Sequence, residues 1–96
     1  MNYKFKTTFW MDFSIADRFG KDAVNDTYRR AFEEWKSDVV YLTELVLVLN
    51  WKLWQHYENG NHVLARLYDS LWKSASGYAV NNLVGDDLSY YLRVTD

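Results

Sequence analysis

The segment from Val39 to Tyr57 constrains this chain most, because it is apolar on two sides of a helical wheel. One stripe runs Val39, Leu42, Val46, Leu49, Leu53 and Tyr57 at three-and-four spacing, the mark of a helix face turned to a core. A second runs Val40, Leu47, Trp51 and Trp54 at i, i+7, i+11 and i+14, well around the helix from the first. A helix apolar on two sides is either central in its own domain or covered by a partner. The sequence therefore predicts a helix of about residues 38–59 that other helices surround, or whose second face another chain closes. Its most apolar stretch, Leu45–Leu49, is bracketed by Glu44 and Lys52 and falls far short of the ~20 residues that span a bilayer.

Around that segment the chain reads as an all-α single domain, residues 1–96, a compact bundle of four or five helices. There is no proline, and Gly20, Gly60, Gly77 and Gly85 punctuate it. Asp12 or Ser14 can cap a short first helix that Gly20 ends in a left-handed position. Asp22 can cap a second, with Val24, Tyr28, Ala31, Phe32 and Trp35 along its inner stripe. Gly60 ends the central helix and Asn61 caps a fourth, which carries Leu64, Leu67, Tyr68, Leu71 and Ala75. Gly77 falls inside that helix or ends it. Asp86 is the expected cap of a last helix with Leu88, Tyr91 and Leu92 inward. Tyr3–Phe5 alternates with lysines in a strand-like way but is too short to weigh. The apolar spacing runs through Trp35 and Val39 without interruption. One helix from Asp22 to Asn59 would be about 57 Å long, against a radius of gyration of about 12–13 Å for a globule of this size. Ser37-Asp38 is a cap pair, so a break is expected there; a long helix inside an oligomer is the alternative.

Composition narrows the function classes. Hydrophobic residues make up 49% and aromatic residues 19% of the chain, which is core material and not disorder. There is no cysteine, so neither disulfides nor thiolate metal sites enter, and a reducing cytoplasm is the expected compartment. Met1–Lys6 lacks the apolar run of a secretory signal, so the Asn25-Asp26-Thr27 sequon carries no weight. Eleven basic residues stand against thirteen acidic ones, which disfavours phosphate-driven nucleic-acid binding.

Ile15-Ala16-Asp17-Arg18-Phe19-Gly20 looks like the first helix and turn of a helix-turn-helix, with Arg18, Lys21, Arg29 and Arg30 as the residues that would meet DNA. Lys21 then stands where an apolar residue is usual, Asp26 where an apolar anchor is expected, and Asp22, Glu33 and Glu34 crowd the would-be recognition helix. His56, Glu58 and His62 are close in sequence, but the spacing matches no HExxH or Glu-x-x-His pair, and no metal site is expected. No nucleophile elbow, dinucleotide loop or phosphate loop is present. The expectation is a non-enzymatic chain without a cofactor. Tryptophan and tyrosine are favoured interface anchors, so Val40, Leu47, Trp51 and Trp54 are the interface candidates.

At Asp12–Gly20, Thr27–Lys36, Tyr41–Asn50 (YLTELVLVLN), Trp54–Glu58 (WQHYE) and Leu88–Asp96 (LSYYLRVTD) the chain resembles small uncharacterised all-α proteins of gut bacteria and their phages or integrative elements. The resemblance implies no activity and no functional residue. The mobile-element setting it implies favours a compact binder of a host protein, such as an inhibitor of a defence enzyme. The expected function is thus a protein-interaction module that binds another protein or a second copy of itself, with a helix-turn-helix-like DNA-binding regulator using residues 12–32 as the alternative.

Overall fold

The computed structural model describes residues 4–96. Five helices follow one another: α1 (Phe9–Asp17), α2 (Lys21–Trp35), α3 (Val39–Glu58), α4 (His62–Asn82) and α5 (Gly85–Thr95). No strand occurs among the described residues, and no helix is long and apolar enough to cross a membrane. The strand-like Tyr3–Phe5 lies partly outside the described residues; Lys4 and Phe5 have no regular structure.

The expected break between α2 and α3 is present, and its chemistry is that of a cap. The Asp38 side chain accepts the backbone N–H groups of Val40 and Tyr41 at 3.0 and 3.2 Å, satisfying donors that a helix start leaves orphaned. Trp35 and Tyr41 then stack across the corner, ring centroids 4.0 Å apart. The other end of α3 closes as expected at Gly60, whose φ is +78°. Asn61 N–H reaches back to the His56 carbonyl and Gly60 N–H to that of Tyr57, the paired bonds of a Schellman ending. Asn61 at once caps α4 by accepting from Leu64 N–H at 3.2 Å.

Three expected caps are corrected. α1 begins at Phe9, a turn before Asp12; the Thr8 hydroxyl donates to the Asp12 carboxylate at 2.8 Å. α2 begins at Lys21 on Gly20, so Asp22 lies inside its first turn, and α5 begins at Gly85, which places Asp86 and Asp87 inside. In each case the acid still complements the positive end of the helix dipole without capping it. Gly20 adopts positive φ, +102°, but with ψ at −171° it is not the left-handed helix ending expected; it stands as the N-cap of α2. Gly77 lies within α4, which runs on to Asn82.

α3 is the axis of the molecule. At 20 residues it is about 30 Å long, in a body of 38 × 26 × 22 Å. It touches each of the other four helices, α4 most extensively. Leu42, Leu45, Val46, Val48 and Leu49 join Phe9, Phe13 and Ala16 of α1, Val24 and Ala31 of α2, Leu64, Tyr68, Leu71, Ala75 and Ala79 of α4, and Tyr91 of α5 in one core. The expected inner stripes of α2 and α4 are therefore found where the spacing put them. Two stripe residues are not: Tyr57 and Leu92 are exposed, Tyr57 because α1 and α4 cover the last turn of α3 only on the side of His56, and Leu92 because α5 lies at the edge of the bundle.

Gly77 lies mid-helix, and a Cβ there would meet no atom within 4 Å. Gly77→Ala is expected to raise stability by about 0.5–1 kcal/mol, read as a shift of the urea midpoint at unchanged slope.

Candidate functional site

Four charged or polar side chains separated by long stretches of sequence meet where α1 ends against α3 and α4. Asp17 closes α1 and carries its carboxylate inward. Its Oδ1 accepts the Tyr68 hydroxyl at 2.5 Å, and its Oδ2 faces Lys52 Nζ at 3.1 Å and His56 Nε2 at 2.8 Å. Lys52 also donates to Gln55 Oε1 at 3.0 Å and sits 4.5 Å from the centroid of the Trp10 ring, a cation–π contact. The His56 ring stacks on that of Tyr68, and Phe13 meets Tyr68 edge-on. Lys52 and His56 lie one helical turn apart, so α3 presents both to the same point.

Burial makes this pairing obligatory. The Lys52 side chain is only 3% exposed, and an ammonium there without a counter-charge would cost several kcal/mol. Burial first, and then the hydrogen bond to Asp17 and its negative charge, push the Tyr68 phenol well above its ordinary range. Tyr68 is thereby a fixed donor.

A second buried charge lies further up α3. Glu44 is fully buried and accepts Lys6 N–H at 2.9 Å, Thr7 N–H at 2.8 Å and the Thr7 hydroxyl at 2.6 Å. The segment before α1 is thus strapped across α3. The strap carries Phe5, which stacks on Trp10 and meets Trp51 edge-on.

The four interface candidates part company on this scaffold. Leu47 is 9% exposed and lines a small cavity with Tyr91 and Thr95 of α5. Val40 is half-buried, and Trp51 is half-buried beside Phe5. Trp54 alone is open, 53% exposed. The stripe is therefore neither wholly core nor one open face: α5 covers its middle and the strap covers Trp51. Trp54 continues instead into Tyr57, 58% exposed and edge-on to it at 5.7 Å, and Tyr57 meets His62 edge-on at 6.1 Å. Two surface grooves flank Trp54. One, of about 310 Å³, is lined by Trp10, Trp51, Trp54, Gln55, Glu58 and Asn59. The other, of about 560 Å³, lies between α3 and α4 along Leu53, Trp54, Tyr57, His62, Ala65, Arg66 and Asp69.

Neither groove is lined by Asp17, Lys52, His56 or Tyr68; these groups satisfy one another. The histidine–acid cluster raised by the sequence comes apart, with His56 turned onto Asp17 and Glu58 and His62 exposed. Among the described residues no group of three His, Cys, Asp or Glu could hold a metal. On the would-be DNA face, Arg18, Lys21, Arg29 and Arg30 are exposed, but Arg29 pairs with Asp26. Arg30 shares a groove with Asp12 and Glu34, and Lys36 pairs with Glu33 at 3.2 Å. Acids thus alternate with bases over that helix, and no basic track forms. Compared with known proteins, the chain matches no family model, no curated protein and no solved structure.

Asp17→Ala leaves Lys52 buried without its counter-charge and is expected to cost about 3–5 kcal/mol in chemical denaturation. Tyr68→Phe is expected to cost about 1–2 kcal/mol at neutral pH. The folded phenol is held above its unfolded pKa of about 10, so its contribution is complete below pH 10 and fades as pH rises past it. The stability gap between wild type and Tyr68→Phe should accordingly narrow above pH 10. A constant gap to pH 11 would show that Tyr68 is not so held.

Proposed function

We propose that this chain is a non-enzymatic protein-interaction module that meets another protein, or a second copy of itself, through the aromatic end of α3. One observation carries this reading: Trp54 and Tyr57 are more than half exposed at the end of a helix whose middle is buried on every side. Large aromatic side chains left on the surface of a rigid element are the usual anchors of an interface. Their positions are fixed from below, because Lys52 and His56 on the same turns are tied to Asp17. An enzymatic reading finds less support, since the titratable groups of that network face one another and line neither groove beside Trp54. A binder of host proteins, the role implied by the mobile-element resemblance, fits a small body with paired exposed aromatic side chains at the end of α3.

A benzophenone amino acid at position 54, expressed in the cells that make the protein, should give a covalent protein adduct under light. The same group at Met11, exposed on the outer face of α1, serves as the comparison and should give none. Trp54→Ala with Tyr57→Ala should melt within a few degrees of wild type and lose the association seen by sedimentation or by cross-linking. Adducts only from Met11, or none from 54 with a monomer at every concentration, would contradict the reading.

A further inference from the structure

We infer that the groove between the end of α3 and the start of α4 is a docking site for an acidic peptide segment with apolar anchor side chains; this rests on the interaction reading above. The groove has an apolar floor and one aromatic wall, Leu53 and Ala65 below and Trp54, Tyr57 and His62 beside them. Its volume, about 560 Å³, lies in the range of sites that take ligands, about 300–1,000 Å³. The wall is preorganised: Trp54 meets Tyr57 edge-on and Tyr57 meets His62 edge-on, so each ring holds the next.

Charge selects the occupant. Asp69, also in the lining, is paired with Lys73 at 2.9 Å. Arg66 is exposed and makes no ion pair or hydrogen bond among the described residues. Its guanidinium offers five donors in a planar fork suited to a carboxylate. An aromatic or leucine side chain between Trp54 and Ala65 would bring a neighbouring Asp or Glu of the same peptide to Arg66. Single-stranded nucleic acid would also stack on these rings, but it needs a basic track along its backbone. Here one arginine stands with Asp69 in the same lining.

The test uses the full chain, labelled for NMR, and three peptides of about twelve residues. The first carries Leu and Phe four positions apart among Asp and Glu, the second carries them among Lys, and the third has both replaced by Ala in the acidic background. The acidic peptide should move the Trp54 indole N–H and the amides of His62–Asp69, and bind about tenfold or more tighter than the lysine peptide. Arg66→Glu, an exposed change that keeps the fold, should invert that preference, and the alanine peptide should not bind. Equal binding of acidic and lysine peptides, no binding of either, or shifts elsewhere on the surface would overturn the proposal. So would tighter binding of an oligothymidine, or shifts at the same residues that grow with protein concentration alone, which would assign the groove to a second copy. Should cross-linking from position 54 persist while the acidic peptide fails, the class of partner falls and the interaction reading stands.

Discussion

Leu42 to Leu49 of α3 are eight consecutive buried residues, and the remaining structure follows from burying them. Eight residues pass through just over two helical turns, so every direction around the axis must be covered. α4, α1 and α2 cover much of the circumference, α5 closes over Leu47, and the strap before α1 closes the side that Glu44 faces. Most helices of small domains keep a solvated face. Here that economy is lost over the middle of α3, and polar residues on it need partners from other elements.

Those partners are specific. Glu44 and Lys52 bracket the apolar stretch, and each is held by a segment distant in sequence: Glu44 by Lys6 and Thr7, Lys52 by Asp17. Buried ion pairs contribute little net stability against an apolar replacement, while losing one member is costly. Their effect is therefore on arrangement. Asp17 can reach Lys52, His56 and Tyr68 together only with the end of α1 at one place along α3 and α4. The rings of Trp10, Trp51 and Trp54 stand on the outer side of the same turns. A rigid aromatic corner at one end of a fully covered helix is thus a consequence of how the middle is buried.

What the sequence made legible was local. The stripes Val24-Tyr28-Ala31 and Leu64-Tyr68-Leu71-Ala75, the Asp38 cap and the Gly60-Asn61 ending each depend on neighbours within a few residues, and each is found. Asp12, Asp22 and Asp86 look like caps but lie inside first turns, because an acid is favourable anywhere near a helix start. The Asp17 network joins residues 35 to 51 positions apart, and no periodicity announces such a meeting. The strap was illegible for the same reason. With it and α5 unplaced, Val40, Leu47, Trp51 and Trp54 read as one continuous face. Only Trp54 remains open, and its neighbours in the exposed patch, Tyr57 and His62, come from the helix ending and from the start of α4.

The claim that Leu42 to Leu49 of α3 are covered by their own chain is open to one direct measurement, amide hydrogen exchange of Leu45–Leu49 across a range of protein concentrations. A helix closed on all sides within one chain can release these protons only by global unfolding. Their exchange free energies should then equal the stability from denaturation at each protein concentration. Protection that falls below the global value measured at the same protein concentration would show that the chain's own elements leave this stretch open and would contradict this account.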